Sequence, residues 1–92
     1  MIVRILGEDQ FRLSDEAFQS VGAADDEVQA AAEAGDEPRF QAALAELIRE
    51  IRAVGSPLPI DEFVGSDAVV PAAGTPLEEA KALLSDEGLI PN

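Results

Sequence analysis

The sequence predicts an α+β fold, and three of its features carry that expectation. A β-branched opening run is followed by a turn and an alternating segment. A long stretch in the middle repeats its apolar residues at helical spacing. A Thr-Pro-Leu-Glu sequence near the end has the form of a second, shorter helix start. In order, these predict an N-terminal β-hairpin, an antiparallel helical hairpin, a short extended segment and a short C-terminal helix.

Met1-Ile-Val-Arg-Ile-Leu6 is nearly continuous in apolar residues, which favours a strand covered on both faces. Gly7-Glu8-Asp9 supplies turn chemistry, and Gln10 to Leu13 alternates polar with apolar, completing the hairpin. Ser14 then fits an N-cap, because its hydroxyl can accept a backbone N–H from the first helical turn. Asp15 and Glu16 follow where carboxylates favour the positive end of the helix dipole. Leu13 and Phe18 have the spacing of a hydrophobic staple. The helix is expected to reach about Ala34, with Phe18, Val21, Val28 and Ala32 as its apolar stripe and Gly35 as its C′ residue. Gly22 and the run Asp25-Asp26-Glu27 make it the weakest helix of the chain.

Asp36-Glu37-Pro38 opens the next helix, since proline is tolerated in a first turn where its missing N–H costs nothing. Phe40, Leu44, Leu47, Ile48, Ile51 and Val54 then recur at spacings of three and four, the strongest periodic signal present. Glu46 and Arg49, three apart, form a minor surface pair. Gly55, Pro57 and Pro59 stop the helix. So short a connection around Gly35 makes the two helices an antiparallel pair. Pro59 to Val64 is expected to make one helical turn before Gly65. Asp67 to Val70, halted by Pro71, reads as an edge strand or extended segment. In the last helix Thr75 is the expected N-cap, Pro76 N1 and Glu78 N3, with Leu77, Ala80 and Leu84 facing inward. Gly88 ends it, and Leu89-Ile90 folds back onto the core.

Residues 1–92 suit one domain, with no linker and no internal repeat. The four aromatic residues are all phenylalanine, so Leu, Ile, Val and Ala must fill most of the core. The formal net charge of −13 would repel phosphate backbones and anionic headgroups. The bases Arg4, Arg12, Arg39, Arg49, Arg52 and Lys81 are scattered and offer no compensating cluster. Direct binding of nucleic acid or of a membrane surface is therefore not expected. Taken alone, such acidity reads as solubility or salt adaptation.

Cysteine and histidine are both absent, which removes disulfides, thiolate zinc sites, the thiol nucleophile and the commonest general base. Asp25-Asp26-Glu27 suggests a cation site, but consecutive helical residues diverge by about 100° and do not converge on one ion. A solvated helical face is the expectation for them. Asp61-Glu62 and Glu78-Glu79 read as surface acids, since general acid–base work needs burial that separates two carboxyl pKa values. Ser14, Ser20, Ser56, Ser66 and Ser85 lack a histidine to activate them, and Lys81 is the one lysine. The chain is thus expected to be non-catalytic, with no cofactor and no metal. No basic-then-apolar leader and no run of about 20 apolar residues is present, so a cytoplasmic location is expected. Docking candidates are the apolar residues Leu58, Ile60, Phe63 and Val64 in the Pro/Gly-rich middle, and Leu89 and Ile90 near the end. They compete with the plainer reading that they close one end of the core.

Several segments stand in a fixed order: Met1-Ile-Val-Arg-Ile-Leu-Gly-Glu8, Ala34-Gly-Asp-Glu37 leading to Phe40, Gly55-Ser-Pro-Leu-Pro59, Ser66-Asp-Ala-Val-Val-Pro71 and Leu77-Glu-Glu-Ala-Lys-Ala-Leu-Leu-Ser-Asp-Glu-Gly-Leu-Ile-Pro91. In that order they resemble the PspAA family. The family comprises small proteins associated with phage-shock protein A in archaea and actinobacteria. The resemblance implies an adaptor or regulator acting beside a phage-shock-protein-A-like coiled-coil protein in the envelope stress response. Any membrane contact would then be indirect, through that partner, and no functional residue is carried over. Two other classes stand beside it: an acidic mimic of nucleic acid that binds a DNA-binding protein, and an enzyme using carboxylates and a metal.

Overall fold

The computed structural model describes residues 1–59, 65–84 and 89. A four-stranded sheet lies on one side of a helical hairpin. The strands are β1 (Ile2–Ile5), β2 (Gln10–Arg12), β3 (Ser56–Pro57) and β4 (Ala68–Val70), in the order β3-β2-β1-β4. The helices are α1 (Asp15–Ala34), α2 (Glu37–Val54) and α3 (Leu77–Ala80).

β1 and β2 form the antiparallel hairpin that the sequence predicts, with Val3 opposite Phe11 and Gly7 turning the chain at φ +79°. Met1 and Leu13 extend the pairing, the Leu13 N–H donating to the Met1 carbonyl at 2.8 Å. β1 is covered on one face, not two. Val3 and Ile5 are fully buried under the helices, while Arg4 between them is exposed. One arginine in the run is the sign of that alternation. β4 is the expected edge strand and runs parallel to β1, Arg4 lying opposite Val69. β3 was not foreseen. It is two residues long and contains Pro57, too little for a periodic signal, and it forms because Phe11 and Arg12 pair with Pro57 and Ser56.

α1 begins where Ser14, in an extended conformation, accepts the Ala17 N–H on its hydroxyl at 3.2 Å. Ser14→Ala is expected to lower stability by about 1 kcal/mol in a urea titration, and Ser14→Asp to restore most of it. The buried side of α1 is Ala17, Val21, Val28 and Ala31, a narrower stripe of smaller residues than the sequence suggests. Phe18 and Ala32 lie at its margin, partly buried. Gly35, at φ +68°, ends the helix and returns its N–H to the last turn. Asp36 then caps α2 by accepting the Arg39 N–H at 3.1 Å. Glu27 meets Arg39 near this junction and Ser20 meets Glu50 further from it, so the two helices run antiparallel.

α2 buries Phe40, Ala43, Leu44, Leu47, Ile48 and Ile51. Its last residue, Val54, departs from the expected stripe and is 38% exposed, at an open cleft it lines with Ser14, Ala17 and Ser20. α3 also differs from expectation. Thr75 does not cap it: its hydroxyl donates to the Ala72 carbonyl at 2.6 Å, closing the preceding turn. Pro76 occupies the cap position without a side-chain bond. The Leu77 N–H instead donates to the Glu37 carboxylate of α2, at 3.1 Å from Oε2 and 3.2 Å from Oε1. Packing of the two helix N-termini thus replaces a local capping box with a carboxylate from 40 residues away. The expected helical turn ending at Val64 and the stop at Gly88 lie outside the described residues.

Candidate functional site: charged faces and a buried carboxylate

The exposed acids of α1 gather along one side of the helix. On α1, Asp15, Asp26 and Glu33 are exposed and fall within about 20° of one line along the helix. Glu16 and Glu27 are exposed as well, about 100–120° round the helix from that line. Several bases are engaged with acids: Arg39 with Glu27 at 2.6 Å, Arg49 with Glu46 at 2.9 Å, Arg52 with Glu8, and Lys81 with Glu78 at 3.8 Å. These pairs are largely solvent-exposed and contribute little to stability. Their consequence is electrostatic: they cancel charge locally and leave the ridge along α1 negative. Arg4 and Arg12 lie on the sheet face turned away from the helices.

A hydrogen bond from Arg39 holds the Glu27 carboxyl below the ordinary carboxylate range, its charge adding to the effect and slight burial opposing it. The same contact raises Arg39. Because the acid is the depressed partner, what the pair contributes is present at neutral pH and is lost as pH falls through the lowered value.

Asp25 corrects the expectation of a fully solvated acidic run. Asp26 and Glu27 are exposed, but Asp25 is 2% exposed and is the buried charged side chain among the described residues. It falls between Val21 and Val28 on the inward side of α1, and its Oδ1 accepts the N–H of Leu89 at 2.9 Å. An isolated carboxylate would be costly there, and such hydrogen bonding is what makes its burial tolerable. Sequence spacing could have flagged it, since Asp25 is four residues after Val21 and three before Val28.

Of the docking candidates, Leu89 is buried in the core at 4% exposure, and its backbone provides the bond to Asp25. Leu58 is half-buried at the end of β3, where its N–H donates to the Gln10 carbonyl at 3.0 Å. Ile60, Phe63, Val64 and Ile90 lie outside the described residues, as do Asp61, Glu62 and Ser85. Among the described residues no group of three or more acids is arranged to hold a metal ion. No helix among them is long and apolar enough to cross a membrane.

The sequence matches the family of PspA-associated proteins over residues 1–92. The chain belongs to the PspAA family. No curated protein and no solved structure matches it. Membership carries the property for which PspAA proteins are described, association with PspA. In this PspAA chain the exposed acids of α1 form a charged surface directed away from the core, and the buried Asp25 ties residue 89 to the same helix.

Proposed function

We infer that this PspAA chain is a non-catalytic adaptor or regulator that acts with a phage-shock-protein-A-like coiled-coil protein in the envelope stress response. Family membership over the full length carries the reading. The charge arrangement supports it: a negative ridge on α1 suits basic stretches of a long helical partner and repels anionic lipid. The protein acts in the cytoplasm and reaches the membrane through its partner.

The acidic-mimic alternative fits the spacing poorly. Duplex DNA carries one charge per about 1.7 Å of its axis. On α1, Asp15 and Asp26 are separated by about 16 Å of helix rise, and Asp26 and Glu33 by about 10 Å.

A pull-down of the purified coiled-coil partner on immobilised chain, across a salt series, tests the proposal. Retention is expected at low salt and should fall as salt rises through physiological strength. Absence of retention at every ionic strength would contradict it.

A further inference from the structure

At the open end of the helical hairpin, away from Gly35, an apolar residue stands uncovered on the inward arc of α2. Val54 falls about 20° from Ala43 and from Leu47 around the helix axis. Ala43 and Leu47 are buried, whereas Val54 is 38% exposed. It forms one wall of an open cleft of about 320 Å³, with Ser14 and with Glu16, Ala17 and Ser20 of α1 on the other side. None of these five residues is basic, and Arg52, two residues before Val54, is turned to Glu8. Glu16 is an exposed carboxylate. Ser20 gives its hydroxyl proton to Glu50 of α2, which leaves its oxygen able only to accept. Glu16 and Ser20 are one helical turn apart, so these two acceptors share a rim with about 6 Å between their Cβ atoms. The positive start of α1 is met here by Asp15 and Glu16 and by the negative end of α2 across the cleft.

We propose that this cleft is a docking site for an arginine side chain projecting from a helix of the partner, its stem against Val54 and Ala17 and its guanidinium between Glu16 and Ser20. A wholly apolar side chain would strip water from Glu16 without replacing its hydrogen bonds, and an acid would be repelled. Lysine is a point charge. Arginine carries a planar fork of five N–H donors that reaches two acceptors at once, behind an aliphatic stem that can lie along an apolar wall. The cavity is at the small end of the roughly 300–1,000 Å³ of ligand sites, which suits one long side chain and not a whole helix. The coiled coil that supplies the arginine is the one named under the proposed function, and to that extent the inference rests on that reading.

Two measurements separate the cleft from the partnership. In the first, amide chemical shifts of the isotopically labelled full chain are followed at constant ionic strength. The probes are Nα-acetyl-arginine methylamide and its uncharged citrulline counterpart. Saturable shifts are expected at Ala17, Ser20 and Val54, with at least about threefold tighter binding of arginine than of citrulline. Val54→Ala should weaken arginine binding at least about threefold, and Glu16→Gln should abolish the preference over citrulline. Both positions are exposed, so the variants should keep the fold, which circular dichroism can verify. No saturable shift at those amides, an equal response to citrulline, or an affinity unchanged by Val54→Ala would each overturn the proposal. In the second, the purified coiled coil is titrated against Val54→Ala and Leu6→Ala, Leu6 being the other exposed large apolar side chain among the described residues. Val54→Ala is expected to weaken association at least about threefold, and Leu6→Ala to leave it unchanged. Equal weakening by both, or by neither, would overturn the proposal and leave the association standing. No association with any form would contradict the association itself, and the arginine titration then decides the cleft.

Discussion

Phe40→Ala is expected to lower stability by roughly 3–5 kcal/mol, the largest loss from truncating any one of the described residues. Phe40 is fully buried in the first turn of α2, beside the junction with α1. Among the described residues it is the largest of the fully buried side chains, and apart from Phe11 the buried core it belongs to is built from aliphatic residues and alanines. Small residues have little side chain with which to collapse into the space, so most of the lost volume would persist as a cavity. A small domain has only about 5–15 kcal/mol to lose, so the variant should unfold at a much lower urea concentration with an unchanged transition slope. A loss below about 1 kcal/mol would mean that Phe40 is not the packing centre described here.

Gly55→Ala is expected to cost about 2 kcal/mol, a large effect for adding one methyl group. Gly35 and Gly55 both follow a helix, but they are glycine for different reasons. Gly35 adopts φ +68°, where a side chain strains the backbone, and the space around it is open. Gly55 is at an ordinary φ of −84°, yet a Cβ there would sit 2.6 Å from the Ile51 carbonyl oxygen and 3.1 Å from Leu13 and Phe11. Its N–H also donates to that same carbonyl at 2.8 Å, which fixes the approach. The added methyl group must push α2 away from the hairpin strands. A thermal melt should show the loss, and chemical shifts should move at Phe11 and Leu13. An unchanged melting temperature would contradict the close packing of α2 on β2.

Features set by neighbouring residues were legible in the sequence. Ser14 and Asp36 are N-caps, Gly35 is the left-handed stop, and the Phe40 to Ile51 stripe faces inward, each fixed within a few residues. Interactions across long separations were not. The Asp25 carboxylate is buried because a backbone N–H 64 residues away meets it. The Thr75-to-Glu78 pattern fits a local capping box, but Glu37 takes the N–H that begins α3. β3 exists because β2 presents an edge to Ser56 and Pro57, not because those residues favour a strand. The candidate surface divides the same way. The acids of α1 could be placed by helical spacing, and Leu89 folds back onto the core as expected, whereas the bond from its N–H to Asp25 depends on a contact with α1 that no local pattern shows.

We propose that this PspAA chain associates with a PspA-like coiled coil through charge on α1. The decisive experiment is isothermal titration of the full chain against that purified partner over a salt series, repeated with Asp15→Asn, Asp26→Asn and Glu33→Gln combined. These side chains are exposed, so the variant should retain the fold, which circular dichroism can verify. The account predicts saturable binding that weakens with rising salt, and a weaker, less salt-dependent association for the variant. Binding of equal strength and equal salt dependence in both proteins, or no binding at low salt, would contradict it.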